Sequence, residues 1–218
     1  MYNLKIKAAI FDLDGTLLDS MAMWQNVCDE YLEQNGLGSQ GKLSEEFRTM
    51  SLDRSSQYIK ETFKLEKSAE QIFDEIIDMV EDRYISTLPL KDGAYDFVKR
   101  LCESGTKICV ATASMRHLVE RAMKRTGLSE FALGIFTCSE AGAPKTEPAV
   151  FLQAMEFLGS KPEETWVFED SLLAIQTAKN IGCKVCAVYD DSNADTTEPI
   201  KALSDVYLKT FANPEGIF

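Results

Sequence analysis

The sequence predicts an α/β fold, in which a parallel β-sheet with helices on both faces is interrupted near its start by an inserted all-helical segment. Three observations predict it. From residue 94 onward, short β-branched runs alternate with helical patterns, which is typical of β-α-β units and a parallel sheet. Another strand-like run, residues 6–11, lies far upstream. The stretch of about 70 residues between them shows helical periodicity and no convincing strand.

Strands and helices alternate after residue 94. Residues 107–111 form an apolar strand, and the helix over 116–125 that follows it ends at Gly127. Pro148 is expected at the first position of a later helix. Proline lacks a backbone N–H, and an N–H at that position would have no partner within the helix. That helix ends at Gly159, and a further helix ends at Gly182. The remaining predicted strands cover 135–138, 165–168, 185–188 and 206–208.

The inserted segment contains two apolar stripes with helical spacing. Stripes of this kind usually pack helices against each other, so we expect helix–helix contacts here and not a ligand site. The segment from Leu88 to Gly93 is the predicted return to the sheet. The first stripe is Trp24, Val27, Cys28, Tyr31 and Leu32, and the second is Ile72, Phe73, Ile76, Ile77, Val80 and Tyr84.

Composition excludes several classes of function. The 218 residues are 45% hydrophobic and 27% charged, as in a globular protein, and carry a net charge of −12. That charge repels nucleic acids and anionic membranes, so we expect neither as a partner. The apolar run before Asp12 is too short for a signal peptide, which predicts a cytoplasmic protein. The six cysteines are expected to be free thiols, and the oligomeric state stays open.

Polar residues follow three predicted strands at the points where those strands end. The carboxyl ends of parallel strands share one edge of a sheet, where ligands bind in open α/β folds. Four carboxylates and two hydroxyls are therefore expected to meet in one crevice. They are Asp12 and Asp14 after the first strand, Thr112 and Ser114 after the second, and Glu169 and Asp170 after the strand over 165–168.

Four carboxylates in one crevice require a counter-charge. They repel one another unless a cation lies among them, and oxygen ligands favour a hard ion such as Mg²⁺. Lys145 precedes a predicted helix N-terminus. The positive charge of the lysine and the positive end of the helix dipole both favour a bound anion. The sequence therefore predicts a Mg²⁺ site beside an anion site. The protein's single histidine, His117, is expected at the surface or in a helix cap.

These motifs resemble those of the haloacid dehalogenase superfamily, in the subfamily that includes β-phosphoglucomutase and phosphoglycolate phosphatase. The likeness lies in Asp-Leu-Asp-Gly-Thr-Leu-Leu-Asp at 12–19, Thr112, Lys145 and Glu169-Asp170, with Thr146 where members commonly have proline. It implies a Rossmann-like core over residues 1–15 and 91–218, and a helical cap domain over 16–90.

The resemblance also implies residue roles. Asp12 would attack phosphorus and become an aspartyl phosphate, while Asp14 would protonate the leaving oxygen and later activate water. Mg²⁺ would be held by Asp12, Asp170 and the backbone carbonyl of Asp14, with Glu169 a direct or water-mediated ligand. The groups expected to hold the phosphoryl oxygens are Thr112, the backbone N–H of Ala113 and Lys145.

Asp14 favours phosphoryl transfer over dehalogenation, because a halide leaving group needs no proton. Related phosphomutases carry a histidine where this chain has residues 20–24, and a basic cap loop that corresponds here to the altered stretch 48–54. The sequence thus predicts a phosphatase for a small phosphorylated metabolite. A β-phosphoglucomutase-like phosphomutase and a non-catalytic phosphate-binding regulator remain the alternatives.

Overall fold

The computed structural model describes residues 6–38 and 50–214. The chain separates into two compact units. A sheet unit consists of Met1–Ser20 and Leu88–Phe218, and a helical unit consists of Met21–Thr87. The sequence-based domain assignment, with its cap over 16–90, stays a prediction. Arg48 and Thr49, which begin the stretch compared above with the phosphomutase cap loop, lie outside the described residues.

The sheet unit is built on six parallel strands in the spatial order β3-β2-β1-β4-β5-β6. The strand order reverses between β1 and β4, and such a switch point is where open α/β sheets bind ligands. This sheet confirms the predicted α/β fold class. The strands are β1 (Ala8–Phe11), β2 (Lys107–Thr112), β3 (Ile135–Thr137), β4 (Thr165–Glu169), β5 (Lys184–Val188) and β6 (Val206–Leu208).

Helices connect these strands, and three more helices lie in the described part of the helical unit. Short 3₁₀ turns cover Leu128–Glu130, Pro162–Glu164 and Asp191–Thr196. The α-helices are α1 (Met21–Gln34), α2 (Leu52–Phe63), α3 (Ala69–Ser86), α4 (Ala94–Glu103), α5 (Arg116–Thr126), α6 (Cys138–Ala141), α7 (Ala149–Leu158), α8 (Leu172–Asn180) and α9 (Thr197–Leu203).

Strand β1 is buried on both faces, as the central strand of a parallel sheet should be. Alternation along the strand sends Ala8 and Ile10 to one face, where they join a core that includes residues of α7 and α8. On the other face, Phe11 stacks on Phe168 of β4 with ring centroids 4.2 Å apart, and Phe97 of α4 meets both rings edge-on. This two-sided core fixes the end of β1 in place.

In the helical unit, the predicted stripes are the buried faces of α1 and α3, except that Trp24, Phe73 and Ile77 are half-buried. Trp24 Nε1 donates a hydrogen bond to Tyr84 Oη at 3.1 Å, which joins the two helices. Helix α3 begins with a capping box between Ser68 and Gln71. These contacts agree with helix–helix packing along the stripes.

Element boundaries differ from the predictions by one or two residues. Strand β1 begins at Ala8 and not at residue 6, and Pro148 caps α7 instead of occupying its first turn. All six cysteines are free thiols, as predicted. In the residues that the structure describes, no helix has the length and apolar character needed to cross a membrane.

Replacement of Gly93 by alanine should destabilise the sheet unit through a backbone collision. Gly93 has a φ of +76°, and an added Cβ would lie 2.2 Å from the backbone nitrogen of Ala212. Gly105 is a matched control, since its φ is +87° and no described atom lies within 4 Å of its Cβ position. The left-handed backbone alone should cost Gly105→Ala about 1–2 kcal/mol.

We expect Gly93→Ala to cost about 1–3 kcal/mol more than the control, the usual cost of overpacking. Urea unfolding followed by circular dichroism measures both losses. Equal losses in the two variants would show that the C-terminal segment around Ala212 moves aside freely.

Candidate functional site

The chain makes a tight turn immediately after β1. The backbone N–H groups of Leu17 and Leu18 both donate to the carbonyl of Leu13 at 2.8 Å, and Gly15 N–H donates to Leu18 O at 2.9 Å. Gly15 has a φ of +83°, a left-handed conformation that glycine adopts without steric cost. The turn holds Asp12 buried and Asp14 half-buried at the carboxyl end of the central strand.

Lys145 contacts two of the predicted carboxylates. Its Nζ lies 2.5 Å from Asp12 Oδ1 and 3.0 Å from Glu169 Oε2. The Asp12 and Glu169 side chains are 8% and 2% exposed and that of Lys145 is 11% exposed, so water screens these ion pairs little. The loop after α6 therefore brings its lysine to the ends of β1 and β4.

Asp170 completes a group of three buried carboxylates. Oxygen atoms of Asp12, Glu169 and Asp170 all lie within 4.8 Å of one another. Both Asp170 oxygens accept a hydrogen bond, Oδ1 from the Thr16 hydroxyl at 2.9 Å and Oδ2 from the Asn193 amide at 2.8 Å. The adjacent strands β1 and β4 thus bring the three carboxylates to one point.

Burial is the main influence on the pKa values of this group. Burial raises the pKa of Asp12 despite its contact with Lys145. Burial and the neighbouring Asp12 raise the pKa of Asp170 to about 7, and they raise the pKa of Glu169 well above its usual range. Burial alone would lower the pKa of Lys145, but the Asp12 and Glu169 carboxylates outweigh it and raise that pKa.

The chemistry and spacing of these donor atoms are the observation that tests whether a metal ion fits. Three buried carboxylates share a single ammonium, so a fully ionised group lacks positive charge. All three ligand atoms are oxygens, which suit hard divalent cations and not soft ones. The donor set therefore fits a divalent cation bound by Asp12, Glu169 and Asp170.

Asp14 has a different environment from these three residues. Its Oδ1 accepts a hydrogen bond from Ser20 at 2.6 Å, and its Oδ2 accepts one from Ser114 at 2.6 Å. Ser114 also donates its backbone N–H to the hydroxyl of buried Thr112 at 3.0 Å. The loop after β2 is thereby joined to the Asp14 side chain.

The structure brings several predicted residues together. Asp12, Glu169, Asp170 and Lys145 form one buried group, and Asp14 and Thr112 are connected through Ser114. Ala113, next to Thr112, is exposed, and so is His117. The metal, catalytic and phosphate roles given to these residues stay predictions.

Three further residues at the site were not predicted from the sequence. They are Thr16, Ser20 and Asn193, which donate to the carboxylates of Asp170 and Asp14. Asn193 follows the end of β5, so the rule that identified residues after the other strands also applies to it. Thr16 and Ser20 lie within and just after the first motif, but nothing in the sequence shows which carboxylate they contact.

Comparison with known proteins shows which family and which relatives the chain is similar to. The family model for haloacid dehalogenase-like hydrolases matches residues 9–188. The chain is 26% identical over 195 residues to pyrophosphatase PpaX of Halalkalibacterium halodurans, covering 85% of this chain and 84% of the relative. It is 26% identical over 194 residues to hexitol phosphatase A of Escherichia coli, covering 88% and 87%.

Solved structures with the same fold include CbbY from Rhodobacter sphaeroides in complex with phosphate. That structure has a TM-score of 0.76 at 19% identity and covers 95% of this chain and 96% of its own. The β-phosphoglucomutase of Clostridium difficile has a TM-score of 0.69 at 18% identity, with coverage of 94% and 92%. At these identities the likeness is one of fold.

A divalent cation should stabilise the protein more at pH 8 than at pH 6. A folded-state pKa of about 7 for Asp170, against 3.8 ordinarily, means that the folded protein binds the extra proton. Without metal, stability is therefore lost as the pH rises toward and through 7. An added cation replaces the missing positive charge at pH 8, whereas protons compete with it at pH 6.

Calorimetric melting with and without MgCl₂ or MnCl₂ measures this effect, with KCl at matched ionic strength as the control. The increase in Tm should be larger at pH 8. An equal or larger increase at pH 6 would contradict a cation bound to these carboxylates.

Proposed function

We propose that this chain, which belongs to the haloacid dehalogenase-like hydrolase family, is a Mg²⁺-dependent phosphatase that acts on a small phosphorylated metabolite through a phosphorylated Asp12. One observation carries the proposal. The Asp12 carboxylate contacts the Lys145 ammonium and lies within 4.8 Å of ligand oxygens from Glu169 and Asp170. The proposed nucleophile, cation ligands and anion-binding lysine would thus act at one point.

Asp12 is the proposed nucleophile. Its carboxylate oxygen would attack phosphorus and displace the alcohol or phosphate leaving group, forming an aspartyl phosphate. Water would then attack the same phosphorus, release inorganic phosphate and restore the carboxylate. Lys145 would remain protonated throughout, because the surrounding carboxylates raise its pKa.

Asp14 is the proposed general acid and base. It would give a proton to the leaving oxygen in the first step and take one from the attacking water in the second. The hydroxyls of Ser20 and Ser114 lie 2.6 Å from its two oxygens. Because a hydroxyl both donates and accepts, these two side chains can serve the carboxylate and the protonated acid alike.

The phosphoryl group would be held by Lys145, the Thr112 hydroxyl and the backbone N–H of exposed Ala113. Charge-assisted hydrogen bonds of this kind strengthen as charge develops on the phosphoryl oxygens. The donor set for Mg²⁺ is Asp12, Asp170 and the backbone carbonyl of Asp14, with Glu169 as a direct or water-mediated ligand. When bound, the ion supplies positive charge to the transferring phosphoryl group.

The relatives support hydrolysis of small phosphate compounds. One is named a pyrophosphatase and another a hexitol phosphatase, so phosphate release is the chemistry common to both names. A phosphomutase remains the alternative enzyme, and a phosphate-binding regulator the alternative without catalysis. We favour the phosphatase because the chain lacks the histidine that accompanies phosphomutase motifs and has an altered stretch at 48–54 in place of the basic loop.

Phosphate release from p-nitrophenyl phosphate tests the proposal. We expect turnover with MgCl₂, loss of turnover with EDTA and recovery when Mg²⁺ is added in excess. A panel that includes pyrophosphate, hexitol phosphates and β-glucose 1-phosphate, the last with and without glucose 1,6-bisphosphate, separates hydrolysis from phosphomutase activity. Absence of turnover by folded protein on the whole panel would favour the binding role.

Asp12→Asn should abolish turnover while the fold is retained. Removal of the nucleophile should lower kcat by about 1000-fold or more, whereas one fewer carboxylate reduces repulsion within the buried group. Asp195→Asn is the matched control, since it makes the same change at an exposed carboxylate outside the buried group. Phosphate release is measured for both variants, and their melting temperatures show whether each retains the fold. Wild-type activity of Asp12→Asn would refute Asp12 as the nucleophile.

A further inference from the structure

The carboxylate of Asp170 is fixed by two donors from separate segments of the sheet unit. Thr16, in the turn after β1, donates to Oδ1, and Asn193, in the 3₁₀ turn after β5, donates to Oδ2. An ionised carboxylate only accepts hydrogen bonds, so the Asn193 amide presents its NH₂ group to Asp170. Each oxygen has two lone-pair directions, so with the donors that the described residues supply, one direction on each oxygen is left for a cation.

Asn193 is itself held in place by its own loop. Its backbone N–H donates to Asp190 O at 3.1 Å, and its carbonyl accepts from the Thr196 hydroxyl at 3.1 Å. The Asp190 side chain accepts from Ser192 N–H at 2.8 Å and pairs with Lys91 Nζ at 2.5 Å.

The ion pair that anchors this loop is shielded from solvent. The Asp190 side chain is 4% exposed and that of Lys91 is 16% exposed. The Lys91 ammonium also donates to the carbonyl of Tyr189 at 3.0 Å, so it holds the loop at two points. The amide of Asn193 therefore approaches Asp170 from a fixed backbone.

We propose that Asn193 is a positioning residue that sets the rotation of the Asp170 carboxylate, and with it the lone pair offered to the divalent cation. The inference rests on the proposed function, in which Asp170 is a metal ligand. Residues that donate to metal ligands commonly change metal affinity by 10–100-fold when they are removed. Asn193 itself would not contact the ion.

Metal binding by the full-length protein tests this inference without any substrate. Isothermal titration with MnCl₂ gives the dissociation constants of the wild type, Asn193→Ala and the control Asp195→Ala. The control removes an exposed carboxylate from the same loop. We expect Asn193→Ala to weaken Mn²⁺ binding by about 10-fold or more and the control to stay within about 3-fold of the wild type.

Two further measurements separate positioning from a structural role. The Mg²⁺ concentration for half-maximal phosphate release should rise in Asn193→Ala while the rate at saturating Mg²⁺ stays within about 3-fold, since excess cation restores occupancy. Asn193→Gln keeps an amide donor and should recover part of the lost affinity. It also provides a second variant should the alanine protein fail to fold.

The outcomes are distinguishable. Equal Mn²⁺ affinity in the wild type and both Asn193 variants would overturn the positioning role and leave the proposed phosphatase intact. A wild-type protein that binds no divalent cation would overturn both. Weaker binding in Asn193→Ala, with wild-type affinity in the control and partial recovery in Asn193→Gln, would support the inference.

Discussion

The site depends on one electrostatic constraint, the concentration of three buried carboxylates around a single lysine. Lys145 satisfies part of the charge of Asp12 and Glu169, while burial and the neighbouring Asp12 raise the pKa of Asp170. Because these carboxylates are buried away from water, their mutual repulsion raises the free energy of the folded state. In the proposed function, a divalent cation would compensate these carboxylates, and the cation and Lys145 would together attract a phosphoryl group despite the net charge of −12.

The sheet is what places these charges together. Strands β1 and β4 are adjacent and in register, and Asp12 N–H donates to Phe168 O at 2.9 Å directly beside Glu169. The stacked rings of Phe11 and Phe168 fix the two strand ends from beneath. Carboxylates from sequence positions more than 150 residues apart thus share one point because the strand order reverses there.

A second layer of neutral side chains orients the carboxylates. Thr16 and Asn193 bind Asp170, while Ser20 and Ser114 bind Asp14. Hydroxyl and amide donors satisfy carboxylate oxygens without adding a charge that would compete with the cation. The family motifs include the carboxylates, the lysine and Thr16, whereas the contacts of Ser20, Ser114 and Asn193 depend on how the loops of this chain fold.

The sequence alone determined the α/β class, the polar residues that follow the strands and the group of Asp12, Glu169, Asp170 and Lys145. Periodicity and residue type along the chain are local properties, and they suffice for these predictions. The tertiary structure decided which donor meets which oxygen. Asn193 contacts Asp170 only because β5 lies next to β4 and an anchored loop folds back over their ends. Contacts of this kind depend on the paths of separate loops, which no local pattern encodes.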